Sequence, residues 1–240
     1  MIKRRLDQAL VEEGITATRS QAESWIRLGK VFVDGRAVTK PGFFVNGTQQ
    51  LELQAKEQYV SRAGLKLASV SETLHLDFAG KVMLDVGSST GGFTDYALQH
   101  GARKVIAVEV GTNQLHHSLL GHPKIELHEQ TDIRDMRELS DKPDIVVIDV
   151  SFISLREILP HVAKLSTKRT EIVAMVKPQF EAATGNFKHK GVIKNDRMRR
   201  DILKDFEAWA RQYFVVVDKA DSQIAGAKGN LERFYKLLKV

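Results

Sequence analysis

The sequence has no cysteine, 5 prolines, 2 tryptophans and 7% aromatics. Without cysteine there is no disulfide framework, no thiolate zinc site and no cysteine nucleophile. The same absence is consistent with a reducing compartment. No uninterrupted apolar run approaches the roughly 20 residues that cross a bilayer. The opening MIKRRLDQAL is basic but continues into polar and acidic residues, unlike a secretory leader, so a cytoplasmic protein is expected. Neither charge sign dominates: 36 Lys+Arg stand against 30 Asp+Glu, a net charge of +6, which permits a polyanionic partner without specifying one. There is no internal repeat and no low-complexity tract. What remains is a chain of 240 residues, 42% hydrophobic and 28% charged, long enough for a full domain with a small appendage.

The first residues read as that appendage. Leu6, Ala9, Leu10 and Val11 fall at helical spacing before Gly14, and Ala22, Trp25, Ile26 and Leu28 repeat the pattern before Gly29. Then the period changes to that of strands: Val31–Val33, the hairpin dipeptide Asp34-Gly35, Val38, a turn at Pro41-Gly42, Phe43–Val45 and Leu51–Leu53. This predicts a small α+β unit over residues 1–58 with a junction at 55–59. Over 59–240 apolar runs (Val82–Val86, Val105–Val110, Ile125–Leu127, Ile145–Val150, Ile172–Val176, Phe214–Val217) alternate with helical stretches (Gly92–His100, Ile153–Leu165, Arg197–Gln212). Val/Ile-rich runs between amphipathic helices fit a parallel sheet covered on both faces. No helix is evident between Phe214–Val217 and Arg233–Leu238, so the last strand is expected to run antiparallel. The basic, glycine-bearing stretch from Glu181 to Asp196 is expected to be a loop beside the site.

The segment Leu84-Asp85-Val86-Gly87-Ser88-Ser89-Thr90-Gly91-Gly92-Phe93 links a strand to a helix, where glycines admit a ligand close to the backbone and the helix start offers free N–H groups. It lacks the G-x-G-x-x-G spacing of dinucleotide sites. About twenty residues on, Glu109 ends the next strand, where a carboxylate can accept from both hydroxyls of a ribose. Asp132-Ile133 follows the third strand and is suited to an adenine edge. Together these resemble the S-adenosylmethionine site of class I methyltransferases, with Asp85, Gly87, Ser88, Ser89, Gly91, Gly92, Phe93, Glu109, Asp132 and Ile133 as cofactor-site candidates. The bland reading is a tight turn with a solvated strand end.

Asp149 and Lys177 each terminate a buried strand, where a doubly wound sheet carries its chemistry. The strings VSRAGLKL, LDVGSSTGGFTD, DVSFISL, VKPQFE and KGNLE, with the leading α+β unit, resemble the haemolysin-A-type (TlyA-like) ribosomal RNA methyltransferases. That family joins an S4-type RNA-binding domain to a methyltransferase domain of the FtsJ type, and the similarity covers essentially the whole chain. The resemblance implies a class I, Rossmann-like α/β fold with a mostly parallel sheet and an antiparallel last strand, preceded by a small S4-like domain. It also implies S-adenosylmethionine as cofactor, ribosomal RNA or ribosomal subunits as partner, and a cytidine ribose 2′-hydroxyl as acceptor. The family's Lys-Asp-Lys-Glu tetrad falls on Lys66, Asp149, Lys177 and Glu232. Three positions depart from it: Ala63 where Gly is frequent, Glu109 for the usual Asp, and Gln223 for a frequent Pro.

A ribose hydroxyl must lose its proton as it attacks a sulfonium methyl group, and a lysine can take that proton only if burial or a second cation lowers its pKa. Lys177 is the expected base or hydroxyl activator, Lys66 the second cation, Asp149 the group that orients Lys177, and Glu232 the group that positions Lys66 or the hydroxyl. The rest is in-line alignment. Ser151-Phe152-Ile153-Ser154 is expected to cap and staple a helix. Phe180 and Phe187 can stack on a nucleobase or pack in the interior. Residues 1–58 hold nine Lys+Arg and seven Asp+Glu, among which Lys3, Arg4, Arg5, Arg19, Ser20, Arg27 and Lys30 are the candidate RNA contacts, Arg19-Ser20 foremost. His116, His117, His122 and His128 lack carboxylates at ligand spacing, so no metal is expected. A membrane-active haemolysin-like protein and an RNA-binding protein without catalysis are the alternative readings.

Overall fold

The computed structural model describes residues 3–16, 18–27, 29–54, 59–182, 191–193, 195–226 and 229–240. The leading unit runs β1 (Arg4–Arg5), α1 (Leu6–Glu12), α2 (Arg19–Arg27), β2 (Val31–Val33), β3 (Arg36–Ala37), β4 (Phe44–Val45) and β5 (Leu51–Leu53). Apolar residues three and four apart on α1 and α2, Leu6, Ala9 and Leu10 with Ala22, Trp25 and Ile26, are buried, as their spacing requires. Asp34 and Gly35 both take positive φ, 49° and 75°, and so close the β2–β3 hairpin. β2 lies between β3 and β5, while β1, too short to leave a sequence pattern, pairs antiparallel with β4.

The larger unit comprises α3 (Arg62–Ser71), β6 (Val82–Val86), α4 (Gly92–Gln99), β7 (Lys104–Val108), β8 (Ile125–His128), β9 (Ile145–Ile148), α5 (Leu155–Leu165), β10 (Glu171–Val176), α6 (Pro178–Glu181), α7 (Asp196–Ala210), β11 (Phe214–Asp221) and β12 (Arg233–Lys239). Its seven strands lie in the order β11-β12-β10-β9-β6-β7-β8. β10, β9, β6, β7 and β8 are mutually parallel, and β12 runs antiparallel to both neighbours, as its missing crossover helix implied. One sheet face, with Met83, Val105, Val147 and Phe234, packs on α3 and α4; the other, with Leu84, Ile106, Val146 and Tyr235, packs on α5 and α7. The first of these clusters continues into the core of the leading unit, and Gln21 of α2 donates to the Tyr59 carbonyl at 3.0 Å.

Two expected strands are shorter than their apolar runs. β7 stops at Val108 and β9 at Ile148, because the chain leaves the sheet there; Val110 is 67% exposed. α3, not expected as a helix, buries Leu65, Leu67 and Val70 on one side. It crosses α4 at two glycines: a Cβ on Gly64 would come within 2.9 Å of the Gly92 carbonyl oxygen, and one on Gly92 would overlap Ser61 Oγ. The chain order reverses at β6, which has β7 on one side and β9 on the other. A doubly wound sheet opens a crevice above the carboxyl ends of such strands.

Candidate active site

The turn from β6 to α4 is left-handed at Gly87, Ser89 and Gly91, with φ of 80°, 46° and 86°. A Cβ on Gly87 would sit 2.7 Å from the Asp149 carbonyl oxygen, so only glycine lets the ends of β6 and β9 approach this closely. The turn aims the Ser89 N–H at Glu109 Oε2 (2.9 Å), while the Gly111 N–H donates to Oε1 (2.8 Å). Above these groups lies a cavity of about 400 Å³ walled by Gly87, Ser89, Glu109, Asp132, Ile133 and Asp149 from the expected set. That volume suits a nucleoside-sized ligand. Asp132 reaches the wall, but its carboxylate is gripped by Arg134 Nε and Nη2 and by the Arg134 N–H, and this guanidinium holds it below the usual carboxylate range.

Five cofactor-site candidates stand off the cavity wall. Asp85 is fully buried under the turn, where its Oδ2 accepts from Thr94 Oγ1 of α4 at 2.7 Å; burial pushes its carboxyl up to about 7. Ser88 is buried behind the turn. Gly91 is glycine because its left-handed backbone caps α4 and because a Cβ would meet Leu119 and Leu115 at 2.6–2.7 Å. Gly92 serves the crossing with α3, and Phe93 is a core residue against Phe234. These five shape the turn from behind. Sequence spacing cannot separate such support from contact.

The four polar residues at the strand ends form two ion pairs. Lys177, one residue past β10, reaches Asp149, one residue past β9, at 2.5 Å, and donates to Ser151 Oγ at 2.7 Å. Lys66 of α3 reaches Glu232 at 2.5 Å, with both side chains buried. The β10–β12 register pairs Val176 with Arg233, so the next step along each chain sets Lys177 opposite Glu232. Topology thus brings Lys66 and Glu232, distant in sequence, beside the other pair. Each ammonium has its own carboxylate.

Several groups at the site either left no pattern in the sequence or were expected only to cap, staple or pack. Gln114 leans over Glu109: its Oε1 accepts from Ser89 Oγ at 3.2 Å and its Nε2 donates to Glu109 Oε1 at 3.4 Å. Ser151 and Phe152 also line the cavity. Phe152 is 92% exposed with a strained φ of 66°, and its ring lies 5.3 Å from that of Phe180. Ser154 caps α5 as expected and donates to Glu181 Oε2 at 2.6 Å, and the Leu155 N–H donates to Glu181 Oε1 at 2.8 Å. Burial raises the Glu181 carboxyl. This residue ties the start of α5 to the segment that follows Lys177. Phe187 and the Ser20 side chain lie outside the described residues, as do 183–190 of the expected loop.

Among the basic residues of the leading unit, Arg4 is engaged by Glu12 and Glu13, whereas Arg5 and Arg19 both bind the fully buried Asp7; Lys3, Arg27 and Lys30 are exposed. His116 contacts Ser118, His122 accepts from the Lys124 N–H and His128 pairs with Glu126. Among the described residues no group of three or more His, Asp or Glu is disposed to hold a metal, and no helix is long and apolar enough to cross a membrane.

The profile of the S4 domain matches residues 4–51 and that of the FtsJ-like methyltransferases residues 59–239. Hemolysin A of Brachyspira hyodysenteriae is 38% identical over 232 residues, 95% of this chain and 97% of that one. The 16S/23S rRNA (cytidine-2′-O)-methyltransferase TlyA of Mycobacterium tuberculosis is 35% identical over 235 residues, 96% of this chain and 88% of that one. The solved structure of a hemolysin candidate from Streptococcus thermophilus superposes with a TM-score of 0.73 at 36% identity, covering 100% of this chain and 90% of that one. The chain belongs to the FtsJ-like methyltransferase family and carries an S4 domain ahead of its methyltransferase domain.

Proposed function

We propose that this protein methylates a ribose 2′-hydroxyl of ribosomal RNA, on a cytidine, with S-adenosylmethionine as the methyl donor. The observation that carries the reading is the Lys177 ammonium, held by Asp149 and Ser151, two residues that line the same cavity as Glu109. The donor set suits a cationic nucleoside. Three acidic residues, Glu109, Asp132 and Asp149, line the cavity together with the apolar Ile133 and Ile158. Glu109 would take the ribose hydroxyls and Ile133 the adenine face. When bound, the sulfonium supplies an electrophilic methyl group. The names of the relatives support ribosomal RNA and cytidine.

In this scheme Lys177 receives the proton of the 2′-hydroxyl, and an amine can do so only in its neutral form. Asp149 and Ser151 fix its Nζ, so that the hydroxyl arrives along one direction and orientation lowers the barrier. Lys66 and Glu232 hold the opposite side of the acceptor ribose. Phe152, fully outside and in contact with Phe180, offers the face on which the target base stacks. Residues 1–58 form the RNA-binding unit, with Lys3, Arg5, Arg19, Arg27 and Lys30 towards phosphates, and 59–240 the catalytic one. The substrate implies a cytoplasmic location. Labelled S-adenosylmethionine should transfer its methyl group to ribosomal RNA or subunits, and Lys177→Ala should abolish transfer while still binding the cofactor. Failure of the wild type to label any ribosomal RNA, despite measurable cofactor binding, overturns the reading.

A further inference from the structure

The leading unit holds an arrangement that the catalytic cavity does not use. Asp7, the second residue of α1, is completely buried although it is a carboxylate. Its Oδ1 and Oδ2 accept from Arg5 Nε and Nη2, both at 2.9 Å, and Oδ2 also accepts from Arg19 Nε at 2.8 Å. The two guanidiniums hold this carboxyl down at about 2. Arg5 precedes α1 and Arg19 begins α2, so one buried acid fixes two cations from separate elements. Both arginines remain outside, with side chains 39% and 52% exposed, and Glu23 approaches Arg19 Nη2 at 3.5 Å. Arg5 Nη1 and Arg19 Nη1 are not used in these bonds. Such forks match phosphate oxygens.

Beside Arg5 lies a largely exposed aromatic ring. Arg5 is the direct antiparallel partner of Phe44, so the two side chains leave the β1–β4 ribbon on the same face. Phe44 is 60% exposed and its neighbour Phe43 39%. A Cβ built on Gly42 would lie 3.6–3.7 Å from Cζ and both terminal nitrogens of Arg5, so the guanidinium plane faces that backbone, and the side chain is 39% exposed. An exposed aromatic face next to fixed guanidinium forks has the chemistry that holds an unpaired nucleotide, since every base has a π-face and every nucleotide a phosphate. A duplex keeps its base faces stacked and offers none to Phe44.

We propose that Phe44, Arg5 and Arg19 form a subsite for one unpaired ribonucleotide, whose base stacks on Phe44 and whose flanking phosphates are gripped by the two arginines that Asp7 fixes. The proposal rests on the reading that this protein acts on ribosomal RNA. Asp7 is a positioning residue: it touches no ligand.

The test uses the full chain and two fluorescein-labelled probes, a single-stranded RNA of about ten nucleotides and the corresponding duplex, over a series of salt concentrations. Phe44→Ala should weaken binding of the single strand about 5- to 100-fold and leave its salt dependence unchanged. Phe44→Leu should behave like Phe44→Ala, and Phe44→Trp like the wild type. Arg5→Ala and Arg19→Ala should each lower the slope of log K against log salt by about 0.7, the value per phosphate contact on a single strand. Asp7→Asn should lower that slope too, with the melting temperature checked in parallel. The Phe44→Ala penalty should vanish on the duplex. Wild-type affinity in Phe44→Ala or Phe44→Leu, an equal penalty on both probes, or an unchanged slope in both arginine variants would overturn the subsite alone, provided the wild type still methylates ribosomal RNA. A wild type that binds neither probe and labels no ribosomal RNA would remove the methyl-transfer reading and the subsite together.

Discussion

Asp85→Asn should make the protein more stable at pH 8 and remove a pH dependence that the wild type carries. The carboxyl lies on β6 with no solvent contact; Thr94 donates to one oxygen, and the other, Oδ1, has no partner among the described residues. Burial, chiefly, and then the negative charges of Asp149 and Glu109 raise it from 3.8 to about 7. The folded chain therefore holds this proton more tightly than the unfolded one. The stabilisation is complete below about pH 4 and is lost as pH climbs to about 7, beyond which the loss is constant. A displacement of about 3 units at ~1.4 kcal/mol each sets an upper bound of about 4 kcal/mol. Asparagine keeps an acceptor for Thr94 and carries no charge, but its amide N–H groups replace an oxygen that has no partner, a cost of about 1–3 kcal/mol. The variant should thus gain about 1–3 kcal/mol over the wild type at pH 8 and be no more stable at pH 4.5. Urea unfolding of both proteins at several pH values reads the difference directly, and groups common to the two cancel. A difference that stays flat between pH 4.5 and 8, or a variant less stable at pH 8, would refute the argument that Asp85 is desolvated beneath the turn.

Two further perturbations probe the supports of the site. Glu181→Ala leaves Ser154 Oγ and the Leu155 N–H without their buried acceptor, at about 1–3 kcal/mol for each orphaned donor. Its urea midpoint should fall accordingly, and methyl transfer should fall more than cofactor affinity, because the residue joins the segments that carry Asp149 and Lys177. Equal losses in transfer and affinity would argue against that linkage. A Cβ on Gly111 would overlap Gln114 Nε2, a flexible side-chain end that must swing away. Gly111→Ala and Gln114→Ala should therefore each weaken cofactor binding about 3- to 10-fold, the worth of one net hydrogen bond, as read by calorimetry. The double variant should be no worse than either; additive losses would mean that the methyl acts on Glu109 and not through Gln114.

The sheet was legible because each parallel strand is an apolar run buried on both faces, and a run such as Ile145–Ile148 can hardly sit elsewhere. The Asp149–Lys177 pair was legible for a related reason: both residues end such runs at their carboxyl ends, where charge is tolerated only if it is paired. What the sequence left hidden is pairing across distance. Spacing near Lys66 does not announce that β12 will turn back between β10 and β11 and deliver Glu232 to it, a pair that only the family resemblance implied, and nothing near Asp7 announces Arg19 on the next helix. Composition could not tell Arg4, engaged by Glu12 and Glu13, from Arg5, anchored on the buried Asp7.

The glycine turn shows how one motif can mislead by serving several ends. Gly87 is needed by the approach of two strands, Gly91 by a left-handed cap beneath two leucines, and Gly92 by the crossing of two helices. Only the first also borders the cavity. A ligand that needs the turn in this shape is therefore protected by packing on three sides, and alanine at Gly92 should reach the site by pushing α3, and with it Lys66, away from Glu232. Because Lys66 and Glu232 are both buried, even a small separation leaves two charges without compensation, and the damage should appear in folding before it appears in cofactor binding.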